Sequence, residues 1–358
     1  MNHPAVVFGG PSPEHDISIL TGLQAARTLA EEAEAHALYW TKAGAWFLVD
    51  ASLEAADFAE GVPPKARPLT LVAAPGGGYF DKRHRLDIAA VVNCCHGGPG
   101  EDGTLQAAFD LAGLRATGPG VAGAALCMDK YSFGAAVAAG GLPTLPRVLL
   151  DSETPPDFEA PFIVKPRFGG SSLGIEVVED LATAVALRST SPLLADGAVV
   201  EPFLADVRDL EIAVRTYPGL QLSAIRAPER SSGGSIYSYG EKYLAWGGQA
   251  NPGGGSPVDP GLARRAREAA RVVVALAGLR SVARIDFLCR GDQLWVNEVN
   301  TIPGSLAHYL WVDPPVSRRD LLGGMVEEAL AASPRRFRVT GADGTALRNA
   351  ASIAQKLG

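Results

Sequence analysis

Arg284-Ile285-Asp286 and, after a short turn, Glu298-Val299-Asn300 are the residues whose types and spacing point most directly to chemistry. Side chains two apart in an extended chain share a face. Arg284 and Asp286 therefore point one way and Ile285 and Phe287 the other, while Glu298 and Asn300 pair up in the second run. Arg290-Gly291-Asp292 reads as a turn that folds the two runs into an antiparallel hairpin. One face then presents a cation, two carboxylates and an amide. That donor set suits a hard divalent cation such as magnesium, which takes few protein ligands and completes its shell with substrate phosphates. On the residues alone, a solvated strand face with chance charges is the competing reading.

Several other segments carry chemistry-bearing side chains. Pro161–Pro166 is a strand with an inward-looking Lys165, and Gly169-Gly170-Ser171-Ser172-Leu173-Gly174 links it to Ile175–Val178. A glycine- and serine-rich hairpin of this kind can fold over phosphates with its amides and hydroxyls, or be a plain flexible hairpin. It is not a Walker P-loop. His96-Gly97-Gly98-Pro99-Gly100-Glu101-Asp102-Gly103 follows an apolar strand, and its glycines let backbone amides approach a ligand. His96 alone reads more simply as a polar turn residue. Ala198–Leu204 reads as a strand reaching the carboxylate Glu201. The polar loop from Ser231 through Tyr237 and Tyr239 to Glu241-Lys242-Tyr243 reads as an active-site lid.

The elements that must position these groups follow from apolar spacing. Ala5–Phe8, Gly9-Gly10 and a helix over Ile17–Ala30 form a strand, turn and helix opening a doubly wound domain, without the full G-x-G-x-x-G of a dinucleotide site. Strands are expected over Ala35–Tyr39, Trp46–Val49 and Leu86–Cys95, with Gly61–Lys82 irregular. A helix covers Thr104–Ala112, and a further helix after Gly118-Pro119-Gly120 carries Met128-Asp129-Lys130. Asp180–Leu187 is helical, Asp209–Arg215 and Gln221–Ile225 are strands, and Leu262–Leu276 and Arg318–Ala332 are helices. The tail beyond is uninterpreted.

The totals bound the class. The chain has 358 residues, 47% hydrophobic and 20% charged, enough for two or three ordinary globular domains. A formal net charge of −7 argues against a nucleic-acid surface. Cys94, Cys95, Cys127 and Cys289 have no zinc-type spacing and read as buried free thiols, which fits a reducing cytoplasm. The N-terminus does not read as a signal peptide, and no apolar run approaches the roughly 18 residues of a membrane span.

Together these segments resemble the D-alanine–D-alanine ligases of the ATP-grasp superfamily. The match runs through Phe8-Gly9-Gly10-x-Ser12-x-Glu14-His15-Asp16-Ile17-Ser18, His96 to Gln106, Met128-Asp129-Lys130, Val164-Lys165-Pro166 with Gly170-Ser171-Ser172, Tyr237–Tyr243 and Arg284–Gly304. Each is weak alone; six in order over most of the chain are not. The resemblance implies an α/β (α+β) ATP-grasp fold of three domains: an N-terminal doubly wound substrate-binding domain over 1–125, a central lid domain over 126–203 and a metal-binding domain over 204–335, followed by a tail over 336–358. It implies ATP-dependent joining of a carboxylate to an amine through an acyl phosphate, in cytoplasmic peptidoglycan precursor synthesis. D-alanine is the implied substrate and a homodimer the implied assembly, with no nucleic-acid or membrane partner.

The resemblance also implies residue roles. Two magnesium ions, or manganese, fall to Asp286, Glu298 and Asn300. Lys130 and Lys165 fall to the phosphates, Ser172 and Lys242 to ATP, and Glu201 with Asp209 to the adenosine, Glu211 being an alternative to Asp209. Arg284 and the Gly304 amide form an oxyanion hole. Glu14 takes the first ammonium and links to Ser171 and Tyr243, and His96 stands beside the first substrate and the transferred phosphate. Tyr309 and Leu310 fall at the acceptor. There the chain departs from the family: Tyr309 stands where a serine commonly holds the acceptor carboxylate, Leu306 and Ala307 replace small hydroxyl residues, and Gly169 stands where a glutamate often precedes the flap. These departures leave a second reading open, an amide ligase with a different acceptor.

Overall fold

The computed structural model describes residues 3–31, 34–150, 155–228, 256–335, 337–350 and 352–356. Three sheets organise the chain, and each turns one face to a helix-packed core.

The first sheet has seven strands. These are β1 (His3–Gly9), β2 (His36–Trp40), β3 (Trp46–Val49), β4 (Arg67–Val72), β5 (Gly78–Asp81), β6 (His84–Arg85) and β7 (Ile88–Asn93), in the order β6-β5-β4-β3-β2-β1-β7. Only β7, β1 and β2 run parallel; the rest is a chain of antiparallel neighbours. The expectation that Gly61–Lys82 is irregular is therefore corrected. Its Pro63-Pro64 and Gly76-Gly77 steps are bends, and the residues after each add β4 and β5 to the edge. Strand β1 is buried on both faces, as a parallel strand should be. Val6 and Phe8 pack on helix α1 (His15–Ala30), and Ala5 and Val7 pack toward Leu105 and Phe109.

Those two residues lie on α3 (Thr104–Ala112), which follows the short α2 (Gly98–Glu101). The single helix expected through Met128-Asp129-Lys130 is two: α4 (Val121–Met128) and α5 (Lys130–Ala139). Asp129 breaks it by adopting extended backbone (φ −81°, ψ 98°) and capping α5, its carboxylate accepting the Tyr131 and Ser132 N–H groups. The break turns Lys130 out of the helix stack.

The second sheet holds β8 (Val148–Leu149), β9 (Phe162–Pro166), β10 (Glu176–Val178) and β11 (Ala198–Pro202) in the order β10-β9-β11-β8, with α6 (Leu181–Thr190) over its core face. Phe162, Val164, Ala198 and Val200 enter that core, so Lys165 and Glu201 face the other way.

The third sheet is β13-β12-β14-β15, from β12 (Arg208–Arg215), β13 (Gln221–Arg226), β14 (Val282–Arg290) and β15 (Gln293–Asn300). Leu210, Ile212, Ile285 and Phe287 pack on α7 (Pro260–Ala277) and on Phe133 and Val137 of α5. After a turn over Gly304–Leu310, α8 (Arg318–Ala331) returns to the first domain, where Leu321, Leu322 and Met325 join the α1 core.

Close packing makes one glycine testable. Gly22 of α1 lies against β1, and a Cβ there would sit 2.3 Å from the Phe8 Cβ. Gly22→Ala should therefore overpack this contact and lower stability by about 1–3 kcal/mol, read as a reduced midpoint in denaturant unfolding; an unchanged midpoint would show that the interface has slack.

Candidate active site between the sheets

The opening hairpin forms as its sequence implies. Arg284 pairs with Asn300 and Asp286 with Glu298 in the β14–β15 register, and Gly291 adopts φ 58° in the turn. One feature was not legible: the register shifts between Asp286 and Phe287, so that Phe287 pairs with Val296. This bulge leaves Val296 and Val299 both in the core. Strict alternation would put Val296 on the face of Glu298.

On that face the charges are matched closely. Arg284 Nε and Nη2 donate to the two Asp286 oxygens at 2.7 Å each, and Asn300 Nδ2 donates to Asp286 Oδ2 at 2.9 Å. Burial would lower the Arg284 pKa, but Asp286, Tyr309 and Glu211 hold it well above its ordinary value. Arg284 Nη1 also donates to the Tyr309 hydroxyl at 3.1 Å, and that hydroxyl donates over 3.4 Å to Glu211. Arg226 lies over the Tyr309 ring at 5.4 Å and 3.7 Å from Glu211. Tyr309 is thus built into a charged cluster. Leu310, by contrast, puts its side chain into the α1 core.

A cleft of about 990 Å³ separates the second and third sheets, with Lys165, Ser172 and Glu201 on one wall and Asp209, Arg284 and Asp286 on the other. Glu201 is fully buried. Lys165 Nζ donates to it at 2.8 Å, and Arg147 Nε lies 2.7 Å from its other oxygen, close enough for an ion pair though not aligned as a hydrogen bond. Burial alone would raise the Glu201 pKa; Arg147 and Lys165 reverse that and hold it below the usual range. Arg147 also donates to the Lys130 and Asn297 carbonyls at 2.9 and 2.6 Å. It ties β11, α5 and β15 together, and a lone arginine in a proline-rich connection gave no signal of this. Breaking a buried pair of this kind typically costs about 3–5 kcal/mol.

A smaller adjoining cavity of about 370 Å³ is lined by Glu14, Glu101, Lys130, Gly170, Glu298 and Asn300. Lys130 Nζ donates to the Gly169 carbonyl and stands 4.0 Å from Glu298. Burial pulls its pKa down, against the pull of Glu298. Ser171 donates to Glu14, so the flap is fastened at both Gly169 and Ser171. Gly97, at φ 63°, allows the close approach: a Cβ there would lie 2.4 Å from a Glu14 carboxylate oxygen. Lys242 and Tyr243, like the rest of the expected lid from Ser231, lie outside the described residues.

Among the described residues no three His, Cys, Asp or Glu side chains converge as ligands, so the donor set for a divalent cation is two carboxylates and an amide. Asp286 and Glu298 are paired directly across two strands, a position where like charges repel. Oxygen donors that a cation would relieve of that repulsion fit magnesium or manganese.

His96 and Glu101 are both buried at the junction of the first and third sheets. His96 Nδ1 donates to the Ile302 carbonyl, and its Nε2 lies 2.8 Å from the Thr21 hydroxyl. Both ring nitrogens are engaged by the protein, which places His96 as a link between domains. Glu101 accepts from Gly97, Thr301 and Ile302; it stood within a quoted motif, but nothing singled it out.

Residues 3–119 match the family model described as D-ala D-ala ligase N-terminus, and residues 151–314 that described as D-ala D-ala ligase C-terminus. A D-alanine–D-alanine ligase of Bradyrhizobium sp. (strain ORS 278) is 32% identical over 356 residues, spanning 92% of this chain and 96% of that protein. One from Mycolicibacterium smegmatis (strain ATCC 700084 / mc(2)155) is 32% identical over 373 residues, spanning 92% and 97%. The crystal structure of D-alanyl-alanine synthetase A from Vibrio cholerae O1 biovar eltor str. N16961 matches with a TM-score of 0.76 at 23% identity, over 93% of this chain and 100% of that one. The fold is thus the ATP-grasp fold of these ligases.

Burial displaces two titrations in opposite directions. His96 is pulled from 6.5 down to about 4, so its contribution to stability is lost as pH falls through that window, where the unfolded chain binds the proton first. Glu101 is pushed from 4.5 up to about 7 by burial and then by the Glu14 charge, so its contribution is lost as pH rises through that window. The slopes offset where they overlap. Glu101→Gln should expose the His96 slope: unfolding free energy of the variant relative to the parent should rise with pH between 4.5 and 6.5. A pH-independent difference would contradict the Glu101 titration.

Proposed function

This chain belongs to the D-alanine–D-alanine ligase family, and from that premise we propose that it joins two D-alanine molecules, with ATP as phosphoryl donor, for peptidoglycan precursor synthesis. The observation that carries the reading is the convergence of Glu14, Lys130, Lys165, Arg284, Asp286 and Glu298 from three domains onto two adjoining cavities. No helix among the described residues is long and apolar enough to cross a membrane. The four buried free thiols suit a reducing cytoplasm, and a homodimer is the family's usual assembly.

The first amino acid's ammonium pairs with Glu14, whose carboxylate Ser171 orients, with Tyr243 completing the set. The substrate carboxylate attacks the γ-phosphorus; the new O–P bond forms as the bond to the bridging oxygen breaks and ADP leaves. Lys130 and Lys165 act as compact positive charges along the phosphates, Ser172 and Lys242 fall to ATP by the family pattern, and Asp209 takes the adenosine, the Glu201 carboxylate being committed to Lys165 and Arg147. Asp286, Glu298 and Asn300 would hold two divalent ions. When bound, these ions offset the repulsion between carboxylate and polyphosphate.

The second amino acid's neutral amine then attacks the activated carbonyl carbon. Arg284 and the Gly304 N–H face the oxyanion; collapse breaks the C–O bond to phosphate, and the attacking nitrogen gives up one proton, which the departing phosphate can take, to leave the peptide. Losing one such donor costs on the order of a hundredfold to a thousandfold in rate. Tyr309 borders the acceptor, whereas the Leu310 side chain lies in the α1 core and is not available to it. Transfer to a different amine is the second reading, and one observation favours it: the Tyr309 hydroxyl is already engaged by Arg284 and Glu211, where an acceptor carboxylate would need a donor.

Two experiments test the reading. With ATP, magnesium and D-alanine as the sole amino acid, the protein should release ADP and phosphate in step with a dialanine product seen by mass spectrometry. No dialanine at saturating D-alanine, with turnover restored by another amine, would favour the second reading. Glu298→Gln should lower turnover by at least about a hundredfold, several kcal/mol of charge stabilisation, with the circular dichroism spectrum retained; unchanged turnover would refute the metal role.

A further inference from the structure

Glu101 and Thr21 have no part in the reaction just described, and His96 is held away from it by its two protein partners. Their hydrogen bonds converge on one short segment. Glu101 Oε1 accepts the Ile302 N–H at 2.9 Å and the Thr301 hydroxyl at 3.1 Å, while Oε2 accepts the Gly97 N–H at 3.0 Å. His96 takes the other side of the same residue, donating from Nδ1 to the Ile302 carbonyl. A carbonyl can only accept, so Nδ1 carries the proton and Nε2 must accept from the Thr21 hydroxyl at 2.8 Å. The Thr21 oxygen in turn accepts the Ser305 N–H at 3.1 Å.

Ile302 thus has both backbone polar groups held by side chains of one first-domain loop, and Ser305 is held from α1. Pro303 and Gly304 lie between these fixed points. The turn needs holding: Ser305, Leu306 and Ala307 adopt φ of 50°, 52° and 49°, a left-handed run that L residues rarely take and that persists only where the surroundings impose it.

We propose that Glu101, His96 and Thr21 are positioning residues that clamp the 301–305 turn from the first domain and so aim the Gly304 N–H at the reacting carbonyl. The proposal rests on the role given above to Gly304. Its structural half, the clamp, stands independently of the substrate. It also explains why His96 and Glu101 are buried against the 301–305 turn instead of lining solvent.

The test uses the full chain with Glu101→Gln, which sets an amide N–H against a backbone donor, and Thr21→Val, which removes the hydroxyl at nearly constant volume. Amide hydrogen exchange of the segment 301–306 and steady-state kinetics are read together. Both variants should raise exchange of that segment by about tenfold or more while leaving β14 protected. They should also lower kcat by about tenfold to a hundredfold, the scale of a small misplacement at the reacting centre, with KM for ATP and for the first amino acid within about twofold. Unchanged exchange at 301–306 in both variants would overturn the clamp. A raised KM for the first amino acid with kcat intact would overturn it too, by making Glu101 a substrate contact. If the parent protein makes no dialanine, the dipeptide reading fails, and the exchange measurement still decides the clamp.

Discussion

Two carboxylates, Asp286 and Glu298, face one another across the β14–β15 pair, and much of the site can be understood as a response to that. Directly opposed side chains stand roughly 5 Å apart. Like charges so opposed destabilise the pair, and an exposed ion pair, worth about 0–1 kcal/mol, would offset little of that. The fold supplies stronger compensation. Arg284 makes a buried bidentate pair with Asp286, Asn300 turns its amide nitrogen to the same carboxylate, and Lys130 lies near Glu298. The β15 bulge keeps the hydrophobic residues of the strand in the core while leaving both carboxylates on the cleft face.

The compensation draws residues from around all three sheets. Lys130 reaches the site because Asp129 breaks α4 from α5 and because Arg147 accepts a place between β11, α5 and β15. Asp129 also binds Arg167 through both carboxylate oxygens, so the helix cap is anchored to the strand that precedes the flap. Glu14 reaches the site from the N-terminus of α1 and is joined to the flap by Ser171. The helices and sheets are therefore coupled through polar contacts and also through the α1 core, which takes in Ala213 and Val282 of the third sheet and Leu321, Leu322 and Met325 of α8.

Much of this was legible in the sequence, and the part that was not has physical reasons. Arg284, Asp286, Glu298 and Asn300 could be placed on one face because strand alternation is local. Thr104–Ala112 was bounded correctly because Gly103 and Gly113, both in left-handed conformations, flank a regular apolar pattern. The β4 and β5 strands were missed because proline and glycine dominate the local signal, while pairing with β3 is a tertiary fact. Asp129 was hidden inside an apolar helical run, where a cap between two helices looks like one polar residue on a surface. Arg147 and Glu101 carried no spacing signal at all; among their partners, Asn297 of β15 and Thr301 with Ile302 lie more than a hundred residues away. Tyr309 stands out in the sequence as an expected departure from the family, but its bonds to Arg284 and Glu211 depend on packing three segments together.

If charge compensation on the β14–β15 face is what the site is built around, nucleotide binding and divalent-cation binding must be linked there. The direct measurement is equilibrium binding of a non-hydrolysable ATP analogue with and without magnesium, in the parent protein and in Glu298→Gln. The account predicts that magnesium strengthens nucleotide binding by about tenfold or more in the parent, at least about 1.4 kcal/mol of coupling, and that this gain disappears in the variant. Equal analogue affinity with and without magnesium in the parent, or an undiminished gain in the variant, would contradict it.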